Sequence, residues 1–79
     1  MYVTLRQIAE ATGIRYGSFT IFWNLVNPNL PSYVVNARAG RRTPGYNVND
    51  VVGVLEKVAP WFTKDHEARL RACAVEAPV

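Results

Sequence analysis

Arginine and hydroxyl side chains are the groups in this sequence whose type and spacing can do chemistry, and that chemistry is anion binding. Arg38, Arg41 and Arg42 fall within five residues, and Arg15 is followed by Tyr16, Ser18 and Thr20. Guanidinium groups neutralise phosphates, and hydroxyls reach phosphates or base edges. Covalent chemistry has far less to work with. His66 and Cys73 lie seven residues apart, so they share a helix face, but no third group orients them and no oxyanion donors accompany them. One His and one Cys cannot fill a tetrahedral metal site, and no glycine-rich phosphate loop of useful spacing is present. The expectation is a non-enzymatic chain that needs no cofactor.

The distribution of charge sharpens this reading. The 79 residues carry a net +3. Up to Val48, five arginines (Arg6, Arg15, Arg38, Arg41 and Arg42) face the single acid Glu10, whereas the remainder mixes four cations with five acids. A basic front and a mixed back suit a polyanionic partner on one side of the molecule. Hydrophobic residues make up 49% and charged residues 19%, which argues for one small folded domain rather than disorder. A single cysteine excludes an intrachain disulfide. With no long apolar run and no charged-then-apolar leader, the expectation is a cytoplasmic protein without a membrane partner.

Thr4 and Gln7 have the T-x-x-Q spacing of a capping box and open a first helix after an apolar lead-in, Tyr2 and Val3. Leu5, Ile8, Ala9 and Thr12 recur at helical spacing, and Gly13 ends the helix. Ile14 turns back toward the core and a second helix begins near Arg15 or Tyr16, with Phe19, Phe22 and Trp23 inward. Small Ala9 lets the two helices approach, which makes Leu5 to Asn24 a helix-turn-helix candidate. Asn27, Pro28, Asn29 and Pro31 stop the second helix.

Tyr33 to Val35 and Tyr46 to Val48 read as two strands of a hairpin, joined by a long basic tip over Asn36 to Gly45. Tyr33 and Tyr46 are expected to pack across strands. Asn49 is the expected cap of a third helix, built on Val51, Val54, Leu55 and Val58, with Gly53 inside it either closely packed or merely tolerated. Trp61 and Phe62 are expected to close the core, and Thr63 to cap a fourth helix from Lys64 to about Ala74. That helix has a thin apolar side, so ordering against a second copy or another partner stands beside an ordinary surface role. The tail from Glu76 is expected to fray.

This order, with N-L-P at Asn29 to Pro31, the arginine-rich hairpin, Tyr46 and N-D-V at Asn49 to Val51, resembles the small winged-helix family of phage excisionases, AlpA-type regulators and the DNA-binding heads of MerR-type activators. The likeness covers residues 3–58. It implies an α+β, mostly α fold, a winged helix-turn-helix. Residues 1–62 would form the DNA-binding unit, and residues 63–79 a C-terminal helix and tail of the same domain. It further implies that the second helix, through Arg15, Tyr16, Gly17, Ser18 and Thr20, enters the major groove. The wing, through Arg38, Arg41 and Arg42, would lie on the minor groove or backbone.

The chain departs from the family pattern in having no Arg or Lys in the second helix beyond Arg15, and in placing Ile21 where polar residues are commoner. Ile21 either touches a thymine methyl or packs beneath Leu25 and the wing, and packing is the expectation. The function expected is sequence-specific binding of double-stranded DNA, as a phage-type excisionase or transcriptional regulator, with self-association on DNA and an integrase or other phage protein as further partners. A small-terminase-like packaging head and a protein-binding inhibitor module are the alternatives.

Overall fold

Among the described residues, four helices and the strands of a small antiparallel sheet follow one another in the order β1 (Tyr2–Val3), α1 (Leu5–Thr12), α2 (Tyr16–Val26), β2 (Tyr33–Arg38), β3 (Arg41–Asn47), α3 (Val48–Val58) and α4 (Lys64–Cys73). The computed structural model describes residues 1–38 and 41–76, without the side chains of residues 36–38, 41 and 42. The fold is α+β and mostly helical.

Local chemistry explains most boundaries. Thr4 Oγ1 accepts from the Gln7 N–H at 3.2 Å, and Gln7 Oε1 accepts from the Thr4 N–H at 2.9 Å, so the expected capping box opens α1. Gly13 closes α1 at φ +74°, with its N–H directed at the carbonyls of Ala9 and Glu10. A residue with a Cβ is strained there. Asn27, the other left-handed position at φ +49°, ends α2.

The sheet differs from the expected two-stranded hairpin. Tyr2 and Val3 are not merely a lead-in but form β1, which pairs with Asn47 and Tyr46, giving the strand order β1-β3-β2. The pairing of β2 with β3 runs from Tyr33↔Gly45 to Arg38↔Arg41, with an irregularity between Asn36 and Arg38. Most of the stretch expected to be a loop is therefore strand, and residues 39 and 40 of it lie outside the described residues. Pro44 and Gly45 suggested a loop because both disfavour central strands. Pro44 is accommodated because β1 reaches only Tyr46 and Asn47, which leaves β3 an edge at Pro44. Gly45 is required because a Cβ would lie 2.9 Å from a methyl of the fully buried Val35.

Two further boundaries move. Asn47, not Asn49, caps α3: its Oδ1 accepts from the Asn49 N–H at 2.9 Å. An Asx cap serves the N–H two residues on, so Asn47 and Asn49 read alike in sequence. In α4, Thr63 and His66 form a capping box in which His66 Nδ1 accepts from the Thr63 N–H.

The core draws on every helix: Ile8 and Ala9 from α1, Phe19 and Trp23 from α2, Val51 and Leu55 from α3, Leu70 from α4, with Val3 beneath them. Phe19 stacks at a tilt against Phe22 and Trp23, and Trp23 against Tyr46 at 5.7 Å. Tyr33 meets Tyr2 at 4.9 Å. Phe62 packs on the core, whereas Trp61 sits at its rim, edge-on to Phe22. Gly53 has open space where a Cβ would be, so it is tolerated rather than closely packed.

The fourth helix orders against its own chain. It packs on α1, burying Leu70 completely. Gln7 Nε2 donates to the Cys73 carbonyl at 2.9 Å, and Arg71 donates to Asn49 Oδ1 at 2.8 Å, tying α4 to the starts of α1 and α3. Beyond it, the Val75 and Tyr2 backbones exchange hydrogen bonds of 2.8 and 2.7 Å, so the segment leading to Glu76 is held against β1. Residues 77–79 of the expected frayed tail lie outside the described residues. Among the described residues no helix is long and apolar enough to cross a membrane.

Candidate nucleic-acid interface

The site is built around the start of α2. Gly13 reverses the chain, the Ile14 N–H donates to the Ala9 carbonyl at 3.0 Å, and Arg15 follows in an extended conformation as the N-cap residue. Thr4, Asn47 and Thr63 cap the other three helices with their side chains, but no side chain caps α2. A cation at this position opposes the positive end of the helix dipole, and the first-turn N–H groups lack a side-chain acceptor. The start of α2 therefore presents its first-turn N–H groups at the surface without a side-chain cap.

Arg15, Tyr16, Gly17 and Ser18 are all exposed. The Arg6 guanidinium lies over the Tyr16 ring, 4.3 Å from its centre, holding the ring by a cation–π contact. Thr20 is half-buried and donates its hydroxyl hydrogen to the Gly17 carbonyl at 2.8 Å, so only its oxygen lone pairs remain for a ligand. Tyr16 and Arg6 line a cavity of about 290 Å³ together with Leu5, Tyr46 and the β3 residues Thr43 and Pro44. The start of α2 and the hairpin therefore share one face.

Arg38, Arg41 and Arg42 belong to the paired backbone of that hairpin, with Arg38 opposite Arg41 and Arg42 opposite Asn36. Their side chains lie outside the described part of the structure. The structure thus brings Tyr16 together with the β3 residues Thr43 and Pro44, leaves Arg15, Gly17 and Ser18 exposed outside that lining, and engages the Thr20 proton within α2.

Three contributors were missed from sequence. Arg6 read simply as an outer position of α1, and Thr43 and Pro44 as loop. The basic bias of the first 48 residues was the available signal for Arg6.

Ile21 corrects an expectation. It does not pack beneath Leu25 and the hairpin: Ile21 is 64% exposed and Leu25 82%. The α2 apolar positions that pack are Phe19, Phe22 and Trp23, and the helix is narrow enough that Ile21 and Leu25 turn away from them.

Among the described residues the lining of the Tyr16 cavity holds no acid. Glu10 lines a separate cavity against α4, with Gln7, Ala11, Arg69 and Cys73. Asp65 pairs with Arg69, and Glu67 with Lys64 and Arg71. The Arg71 hydrogen bond is the main cause holding the Glu67 carboxyl below its usual range. Burial pushes the Cys73 thiol above its usual range. Among the described residues no three His, Cys, Asp or Glu side chains gather where they could hold a metal ion.

Comparison with protein-family models, with curated proteins and with solved structures gives no match to the chain. The functional reading rests on the geometry and on the sequence pattern.

Proposed function

We propose that the chain is a winged helix-turn-helix protein that binds double-stranded DNA sequence-specifically, as a phage-type excisionase or transcriptional regulator. In this reading α2 enters the major groove, and the β2–β3 hairpin is the wing, lying on the minor groove or backbone. One observation carries it: Tyr16 at the uncapped start of α2 and the arginine-bearing hairpin flank the same cavity, with no carboxylate among the described residues of its lining. Phosphate oxygens would accept from the first-turn N–H groups of α2 and from Arg15, and the wing arginines would neutralise the neighbouring backbone. Arg6 holds the Tyr16 ring by its cation–π contact. A domain this small covers a short footprint, so copies bind side by side on neighbouring sites.

The test is fluorescence anisotropy with a labelled duplex across a salt series. If Arg6, Arg15, Arg38, Arg41 and Arg42 each neutralise one phosphate, log K falls with log salt at a slope of about −4.5. Absence of duplex binding even at about 50 mM salt rejects the reading. A strictly non-cooperative titration on a multi-site duplex rejects the side-by-side arrangement.

A further inference from the structure

The outer stripe of α2 carries a reading of its own, which deepens the DNA-binding proposal and rests on it. The exposed positions of α2 after its first residue are Gly17 and Ser18, then Ile21, then Asn24 and Leu25. These recur at the three-to-four-residue spacing of one helix face. From Ser18 to Leu25 the stripe runs about 10 Å, the rise of about three base pairs, and a helix of this size fits the major groove.

Its chemistry is unusual for a surface. Tyr16–Val26 contains no charged residue, and the stripe offers one hydroxyl, one carboxamide and two branched aliphatic groups. Guanine presents two acceptors in the major groove and is read by Arg or Lys, which this stripe lacks. Adenine presents an acceptor and a donor that match the carboxamide of Asn. Thymine presents a methyl group that only an apolar surface gains by touching.

We infer that α2 selects A·T pairs, with Ile21 against a thymine methyl and Asn24 paired with the major-groove edge of an adenine. Ile21 is the specificity-determining residue. Leu25 extends the apolar line by one turn. Charge complementarity favours DNA as the occupant over another protein: the stripe carries no acid, and it begins at the uncapped N-terminus of α2 beside the exposed Arg15. Electrostatic attachment at one end and uncharged readout along the other divide affinity from specificity.

The experiment uses the whole 79-residue chain and a random-sequence duplex library. The wild-type protein should enrich duplexes sharing an A·T-containing core. In the winning duplex, each thymine of that core is then replaced in turn by deoxyuridine, which removes the methyl group alone. One such replacement should weaken wild-type binding roughly fourfold, the effect of losing one buried methyl contact. Ile21→Ala should bind the thymine duplex roughly fourfold less tightly and lose its sensitivity to that same replacement. Asn24→Ala should lose roughly tenfold in its discrimination between adenine and guanine at one position.

Both residues are exposed, so circular dichroism of the variants should match wild type. A wild-type protein that binds a selected core with no sensitivity to any thymine methyl overturns this inference and leaves DNA binding standing. So does an Ile21→Ala variant that keeps the sensitivity, or a DNA-free dimer that Ile21→Ala dissolves. Absence of binding to any duplex removes both.

Discussion

Position 15 holds an arginine where the other helices of this chain hold an oxygen acceptor, and under the DNA-binding proposal that choice sets stability against binding. Its backbone, at φ −59° and ψ 139°, already suits a capping side chain. Arg15→Asp would supply the missing acceptor and a favourable charge, and should raise the unfolding free energy by about 1 kcal/mol in urea titration. The same variant should lower duplex affinity on the order of tenfold, by removing a phosphate contact and adding a repulsive charge. Gly53→Ala is its neutral counterpart, because a Cβ there meets nothing within 4 Å. It should stabilise α3 by about 1 kcal/mol and leave DNA affinity unchanged. Arg41→Ala with Arg42→Ala should weaken binding to every sequence alike and reduce the salt slope by about 1.8.

Elements with a cap, a stop and a full apolar face were legible in sequence. Thr4 and Gln7 announced α1, Gly13 its end, and Thr63 the start of α4. Two-residue β1 was illegible because alternation needs more than Tyr2 and Val3 to register, and its partners lie some 45 positions away at Tyr46 and Asn47. The place of α4 was equally hidden. Its apolar face reduces to Leu70, and the bonds that seat it, from Gln7 to the Cys73 carbonyl and from Arg71 to Asn49, join residues far apart in the chain. Of the candidate interface, the start of α2 was readable from Arg15 to Ser18. The exposure of Ile21 was not, since an apolar residue in a helix reads as core until its neighbours are known.

The fourth helix also carries the clearest acid sensitivity. Arg71 and Lys64 hold Glu67 ionised below the usual carboxylate range, so this contribution to stability is present above that range and is lost as pH falls through the lowered value. The melting temperature of wild type should therefore fall more steeply between about pH 5 and pH 3 than that of Glu67→Gln.

For the whole molecule, margins are narrow. A chain of this length is stable by about 4 to 12 kcal/mol, so Leu70→Ala, at about 2 to 5 kcal/mol, should remove a large fraction and give a much lower melting temperature by calorimetry. Helix α4 thus behaves as part of the domain rather than as an appendage. The exchange of hydrogen bonds between Tyr2 and Val75 has a mechanical meaning as well. Because the two segments run antiparallel, a load applied to the chain ahead of Tyr2 and beyond Val75 pulls from the same end of the pair and opens its bonds one after the other rather than together. Stretched between its ends in an optical trap, the molecule should yield at low force, peeling β1 from Val75 before the core around Phe19 is loaded.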